Sequence, residues 1–188
     1  MRLFTAIALP EEVRQSLESL LRVLKPTAAV KWSRVSNLHV TTKFVGEWPA
    51  PRLEELKAAL REMPEREEFP IAVRALDWFP NERAPRVLFA GIEAPAGLGV
   101  LARETEEKLA ALGIPVERRK YSPHLTLARI KTPKDLGALR EAVGRLRKAE
   151  FGEFRVERFH LYSSDLRPAG PVYTSLEEYP LNGRGIEP

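Results

Sequence analysis

The sequence predicts an α+β fold in which two similar lobes, each an antiparallel sheet with helices on its outer face, lie around a central groove. The first observation is an internal repeat, because three pairs of similar segments are separated by 85 residues (88 − 3). The second is that several predicted strands follow one another without an intervening helix, which disfavours parallel β-α-β winding. The paired segments are LFTAIAL from Leu3 with LFAGIEA from Leu88, NLHVTTKF with PHLTLAR, and FPIAVRAL from Phe69 with FRVERFHL from Phe154.

Each half of the repeat has the same predicted order of elements. Helices are predicted where leucines recur at helical spacing, and strands where short runs are rich in Leu, Phe, Ile and Ala. The first half comprises a strand at 2–9, a helix at 11–24, a strand with His39, a helix marked by Leu53, Leu56 and Leu60, and a strand at 69–77. The second comprises a strand at 86–93, a helix at 96–112, a strand with His124, a helix marked by Leu136, Leu139, Val143 and Leu146, and a strand at 154–162.

The remaining segments complete the predicted organisation. Thr132 and Pro133 are expected to cap the last helix and to occupy its first turn. Charged or proline-containing loops are predicted at 63–68 and 80–86, a further edge strand at 172–179, and a tail with little to bury at 180–188. We interpret 1–188 as one bilobal domain whose repeats cover about 1–80 and 86–179.

Composition limits the classes of function. The 188 residues contain 30 basic and 26 acidic side chains, and the resulting charge of +4 favours an anionic partner such as RNA or a phosphate ester. No cysteine is present, which excludes disulfides, thiolate metal sites and cysteine nucleophiles. Gln15 is the only glutamine and there are three asparagines, which favours a heat-adapted source. Without an apolar run of roughly 20 residues or a secretory signal at the start, we expect a cytoplasmic monomer with no membrane partner.

The residues that carry chemistry are two His-x-Thr motifs at equivalent positions of the repeat. Residues i and i+2 of a strand share a face and lie roughly 6.5–7 Å apart, so His39 pairs with Thr41 and His124 with Thr126. A pseudo-twofold arrangement would bring both pairs to the central groove. Two imidazoles across a phosphate can act as general acid and general base, because the ordinary pKa of histidine is about 6.5. The threonine hydroxyls can hold phosphate oxygens.

Further side chains near the motifs are candidates for contact with RNA. Strand alternation places Lys43 on the face of His39, and the run Arg118, Arg119, Lys120 precedes the second motif, where it could guide an RNA backbone or form a solvated loop. Tyr121 could stack on a base or pack in the core. Neither a phosphate-binding G-x-x-x-x-G-K-[ST] loop nor an H-E-x-x-H metal motif occurs, so no cofactor and no metal are predicted.

Together these motifs resemble the two-histidine phosphoesterases, and among them the RNA 2′,3′-cyclic phosphodiesterases first described as bacterial 2′–5′ RNA ligases. The resemblance covers nearly the whole chain, through the segments RLFTAIALP, KWSRVSNLHVTTKFVGE, YSPHLTLARI and LYSSDLRPAGPVYTSLEEY. It implies metal-independent opening of the cyclic phosphate on RNA to a 2′-phosphate. It also implies that His39 and His124 are the catalytic pair and that Thr41 and Thr126 bind phosphate.

The resemblance adds roles that the spacing alone does not supply. Arg129 matches an arginine that closes the second motif and would neutralise phosphate charge. Strict alternation points Arg129 away from the groove, so it must follow a bulge or the strand end, and its repeat partner Phe44 is expected in the core. In the family's usual assignment, the first histidine protonates the departing 3′ oxygen and the second activates water.

Other functions use the same residues. The alternatives are joining of RNA ends through a 2′–5′ bond, hydrolysis of small cyclic nucleotides or 2′–5′ oligonucleotides, and a non-catalytic RNA-binding module. Two titratable imidazoles argue against the last of these, since simple binding does not require them.

Overall fold

The predicted α+β class with two antiparallel sheets is confirmed. A computed structural model describes residues 1–168 and 170–181 of the chain. The strands in this part of the chain are β1 (Arg2–Ala8), β2 (Lys31–Trp32), β3 (His39–Glu47), β4 (Phe69–Phe79), β5 (Val87–Glu93), β6 (His124–Arg129), β7 (Glu150–Val156), β8 (Arg158–Arg167) and β9 (Gly170–Pro180). The α-helices are α1 (Glu11–Leu24), α2 (Leu53–Arg61), α3 (Ala96–Ala110) and α4 (Gly137–Arg145).

The two sheets do not coincide with the two halves of the sequence repeat. The four-stranded sheet has the order β3-β1-β8-β9, and the five-stranded sheet has the order β2-β6-β5-β4-β7. Strand β4 of the first half therefore pairs with β5 of the second, and β8 of the second half pairs with β1 of the first. Each sheet is built from both halves, so neither half can complete its own sheet without the other.

Helix α1 begins and ends where the leucine spacing predicts. The apolar residues Val13, Leu17, Leu20, Leu21 and Leu24 are all buried. The acidic Glu11 and Glu12 occupy the first turn, where their negative charge interacts favourably with the helix dipole. This helix lies against β7 of the five-stranded sheet and next to α4, whereas α2 and α3 contact each other and reach β9 and β3 of the four-stranded sheet. The apolar sides of both sheets and the helices share one continuous core.

Three local predictions are wrong. The strand predicted at 154–162 is two strands, because the chain leaves the five-stranded sheet at Val156 and enters the four-stranded sheet at Arg158. Thr132 and Pro133 do not cap the last helix, which begins at Gly137. The predicted tail is partly structured, since Leu181 is buried and its N–H donates to Glu157 O at 2.8 Å. The rest of that tail, 182–188, lies outside the described residues.

Candidate active site

Both His-x-Thr motifs lie on strands with the predicted alternation. Along β3, His39 and Thr41 are half-buried while Val40 is fully buried, and β6 repeats this pattern with His124, Thr126 and the buried Leu125. The motif residues therefore occupy the face of each sheet opposite the helices. Strands β3 and β6 also contact each other across the two sheets, which brings the two motifs to one region.

A β-bulge in each motif strand resolves the position of Arg129. In β6 the pairing with β5 shifts between Leu88 and Phe89, and Leu127 and Ala128 are consecutive buried residues. The extra residue reverses the alternation, so Arg129 returns to the exposed side that carries His124. Tyr173 of β9 is close to Arg129: burial raises the pKa of the Tyr173 hydroxyl, and the charges of Arg129 and Arg2 partly offset this.

The same bulge in β3 makes two expectations wrong. Thr42 and Lys43 are consecutive buried residues, and the pairing with β1 shifts between Thr5 and Ala6. Lys43 therefore does not lie on the face of His39: it forms an ion pair with Glu106 of α3, and its ammonium donates to Pro115 O at 2.7 Å. Phe44 is not in the core but 68% exposed, on the side that Arg129 occupies in β6.

The two histidine rings are held by the same backbone hydrogen bond. His39 Nδ1 lies 2.8 Å from Asn37 O, and His124 Nδ1 lies 2.8 Å from Ser122 O. Because a carbonyl oxygen can only accept, Nδ1 must carry the proton in both rings. In the neutral imidazole, Nε2 then keeps its lone pair free. A general base needs this lone pair to take up a proton, and a general acid needs it to regain the proton that it has donated.

The surroundings of the two rings differ. His39 stacks on Phe4 with ring centroids 4.7 Å apart, and the rings of Tyr173 and Tyr162 lie 5.2 and 6.3 Å away. This desolvation lowers the pKa of His39 to about 4, an effect that the hydrogen bond to Asn37 O opposes only in part. His124 meets only ring edges among the described aromatic contacts, from Phe79 at 5.1 Å and Phe89 at 5.5 Å.

Two hydroxyl groups connect the two halves of the chain at the motifs. Tyr121, which precedes the second motif, donates its hydroxyl to Thr41 O at 2.8 Å. Ser33, which precedes the first motif, donates to Thr126 O at 2.6 Å, and its N–H donates to Leu127 O at 2.8 Å. Each motif threonine is therefore fixed by a side chain from the other half of the chain. Tyr121 is used for packing and positioning, and burial raises its pKa far above the ordinary value, so it keeps its hydroxyl proton.

Several positioning residues have no signal in the sequence pattern. Asn37 accepts from His39 through its backbone, and its side chain donates to Pro171 O of β9 at 2.8 Å. Gly91 pairs with His124, and a Cβ there would lie 2.7 Å from Arg74 O, so only glycine fits without movement. The hydrogen bond of Ser33 has no counterpart in the repeat, whose equivalent position is Arg118. The rings around His39 had one indication in the sequence, which was Phe4 in the apolar run LFTAIAL.

The predicted basic run lies outside this cluster, and the third histidine, His160, reaches it only through Tyr162, whose ring centroid is 5.4 Å from its own. Arg118, Arg119 and Lys120 are exposed in the loop before β6. His160 is buried beside Ser175, with its Nδ1 3.2 Å from the serine hydroxyl. Within 1–168 and 170–181, no three His, Cys, Asp or Glu side chains come together as metal ligands. In the same part of the chain, no helix is long and apolar enough to cross a bilayer.

Paired His-x-Thr strands on two antiparallel sheets define the two-histidine phosphoesterases. The chain belongs to the family described as LigT-like phosphoesterases, which it matches over residues 7–89 and 92–173. The two matched segments begin 85 residues apart (92 − 7), the same offset as the sequence repeat.

Similar proteins extend this assignment over the full length. The chain is 36% identical over 183 residues to an RNA 2′,3′-cyclic phosphodiesterase of Methanothermobacter thermautotrophicus, covering 96% of this chain and 99% of that protein. It is 38% identical to one of Thermus thermophilus, covering 97% and 91%. A crystal structure of a Thermus thermophilus protein superimposes with a TM-score of 0.81 at 36% identity, covering 98% and 100% of the two chains. Escherichia coli LigT complexed with 3′-AMP gives 0.77 at 26% identity, covering 96% and 98%.

Proposed function

We propose that this chain hydrolyses the 2′,3′-cyclic phosphate at RNA ends to a 2′-phosphate, with His39 and His124 as its acid–base pair and without a metal ion. The observation that carries the proposal is the shared geometry of the two rings, each with Nδ1–H bound to a backbone carbonyl and with no partner for Nε2 among the described residues. Each ring also has a threonine two residues away on the same face. The relatives named RNA 2′,3′-cyclic phosphodiesterase support the choice of substrate.

The phosphate is bound by Thr41, Thr126 and Arg129. The two hydroxyls donate to non-bridging oxygens without adding charge, and the guanidinium supplies the positive charge that stabilises the more negative transition state. The backbone carbonyls of the two threonines accept hydrogen bonds from the hydroxyls of Tyr121 and Ser33. These bonds fix the strand beside each threonine hydroxyl. Protein side chains thus supply every group that the reaction uses, so the proposal invokes no metal.

The different surroundings of the rings support distinct roles. A pKa of about 4 keeps His39 neutral at pH 7, so its Nε2 can take the proton from water as the water oxygen attacks phosphorus. The bond from phosphorus to the 3′ oxygen then breaks, and His124, acting as the general acid, gives its Nε2 proton to that oxygen. The product is a 2′-phosphomonoester and a 3′-hydroxyl. This assignment is the reverse of the one that the family resemblance implies.

The same site can join ends or open smaller substrates. If a 5′-hydroxyl replaces water as the attacking group, the product is a 2′–5′ phosphodiester, and the two histidines keep their roles. Small cyclic nucleotides present the same five-membered ester. The proposal is for hydrolysis by a monomer, since one chain holds both motifs, and light scattering on purified protein tests that state. A cytoplasmic location stays a prediction from the sequence.

The test is incubation of purified protein, in excess EDTA, with a short RNA that ends in a 2′,3′-cyclic phosphate, followed by identification of the phosphate position. A His39→Gln/His124→Gln double variant serves as the inactive form. His160→Gln is the matched control, because it removes the third histidine, whose Nδ1 bonds to the Ser175 hydroxyl and to neither motif. We expect a 2′-phosphate from the wild type and the control only. A need for added metal, a 3′-phosphate product or an active double variant would contradict the proposal.

A further inference from the structure

We propose that the RNA strand behind the cyclic phosphate is bound by a basic track of Lys31, Arg86, Arg129 and Lys131, at the end of β6. This inference rests on the proposed function and extends it, because it assigns the path of the substrate outside the reacting ester. Arg129 is the point where the track meets the phosphate site, and the other three residues lie beyond it.

The register of the five-stranded sheet brings these residues together. Lys31 of β2 pairs with Arg129 of β6, which in turn pairs with Val87 of β5, so the three positions form one row across the sheet. Arg86 comes directly before Val87, and its guanidinium donates to Lys131 O at 2.9 Å. Neighbouring strands are roughly 4.8 Å apart, so the four cations occupy one compact end of the sheet.

The charges of the track are not balanced by acidic side chains. All four residues are exposed, and among the described residues none of them has a carboxylate within ion-pair distance. In contrast, the basic residues packed near the helices are paired, as in Lys43 with Glu106, Arg61 with Glu177 and Arg66 with Glu104. Clustered positive charge without a counter-charge is typical of a surface that binds a polyanion.

The track is continuous with the reaction site. Arg129 acts electrostatically on Tyr173, whose ring contacts His39 at 5.2 Å. A strand whose terminal phosphate lies at the two motifs can therefore pass Arg129 and continue along the end of β6. Each cation on this path can release one counterion from the RNA backbone, which makes binding depend on salt.

The other basic segment, Arg118 to Lys120, is less suited to this role. It lies before β6, at the end of the strand opposite the track, and it is accompanied by acidic groups. The Glu117 carboxylate accepts from Arg119 N at 3.1 Å, and the Glu106 carboxylate accepts from Glu117 N at 2.7 Å. Carboxylates bonded into this loop repel an RNA backbone, whereas no described carboxylate lies within ion-pair distance of the track.

The test compares two triple variants that remove the same charge. Lys31→Gln/Arg86→Gln/Lys131→Gln removes the track but keeps Arg129, and Arg118→Gln/Arg119→Gln/Lys120→Gln is the matched control. For each protein, kcat/KM is measured on uridine 2′,3′-cyclic monophosphate and on a decamer with a cyclic phosphate end, from about 50 to 300 mM salt. A Lys31→Gln/Lys131→Gln double variant keeps the hydrogen bond of Arg86 and guards against a folding defect.

We expect wild type to prefer the decamer by roughly tenfold or more, and the track variant to lose that gain while its mononucleotide rate stays unchanged. The slope of log(kcat/KM) against log salt for the decamer should fall by roughly 2, at about 0.7 for each lost contact. Three results would overturn the proposed track. They are an equal loss of decamer preference in both triple variants, a loss of that preference in the control alone, and no preference for the decamer in the wild type. If no protein hydrolyses either substrate, the proposed function fails, and fluorescence anisotropy with a labelled decamer then decides the track separately.

Discussion

His39 and His124 are held by identical hydrogen bonds from Nδ1 to a carbonyl two residues earlier, but their neighbours differ. His39 lies among Phe4, Tyr162 and Tyr173, and its bulge leaves Phe44 on the exposed side. His124 touches only ring edges in the described contacts, and the equivalent bulge leaves Arg129 there. The duplicated backbone supplies the alignment, and a few unequal side chains give each histidine its own surroundings.

The largest expected effect is the loss of either ring. We expect His39→Gln and His124→Gln each to lower kcat/KM on the cyclic phosphate by roughly 10²–10⁴-fold, which is the usual contribution of a general acid or base. Steady-state kinetics on the mononucleotide measure this, and circular dichroism checks the fold. Activity within tenfold of wild type in either variant would remove that ring from the mechanism.

The unequal residues after the bulges provide the next comparison. Arg129→Gln should lower kcat by roughly 10²-fold, because a positioned cation is lost from the transition state. Phe44→Ala, at the equivalent place in β3, should change kcat by less than threefold, since that side chain is 68% exposed and far less able to stabilise charge. If the two variants lose equal activity, the electrostatic difference between the motifs is not what matters.

The burial of His39 should also appear in the stability of the fold. Its pKa is about 4 in the folded chain against an ordinary value of 6.5, so between these values the unfolded chain binds the proton more strongly. The free energy of unfolding should therefore fall as pH drops from 6.5 to 4, by roughly 3 kcal/mol from this group. Urea denaturation at about pH 7.5 and pH 4 measures it.

One variant isolates this contribution from other titrating groups. His39→Gln should lose much less stability at low pH than the wild type. Parallel curves for the wild type and His39→Gln would contradict the desolvation of His39.

The smallest effects are expected at the bonds between the halves. Tyr121→Phe and Ser33→Ala each leave a threonine carbonyl without its donor, so each should cost about 1 kcal/mol of stability and lower kcat a few-fold. Tyr179→Phe is the matched control, since its buried hydroxyl has no partner among the described residues and its removal should cost nothing. Thermal melts and kcat on the same samples would show whether stability and positioning fall together.

The fold class and the side of the strand on which the His-x-Thr side chains lie could be predicted from the sequence. Leucine spacing predicted where α1 begins and ends, and strand alternation predicted that His39 and Thr41 lie on the same face. Both predictions succeed because helix periodicity and strand alternation depend only on neighbours in sequence. The bulge in β3 could not be predicted: an extra residue there turns Lys43 toward Glu106 and Phe44 outward, and strand alternation alone gives no indication of it. In β6, only the arginine that the family resemblance placed at 129 required a bulge or a strand end. The exchange of β4 and β8 between the sheets was also missed, since a repeat shows that two segments are alike and not which partners they choose.

In the proposed mechanism equivalent histidines act as different catalysts, His39 as the base and His124 as the acid. The direct measurement uses a cyclic substrate in which sulfur replaces the 3′ bridging oxygen. A thiolate leaves without a proton, because its conjugate thiol has a pKa of about 8.5, far below that of a ribose hydroxyl. On this substrate we expect His124→Gln to regain most of the wild-type rate while His39→Gln stays inactive. Recovery of His39→Gln instead, or of neither variant, would contradict it.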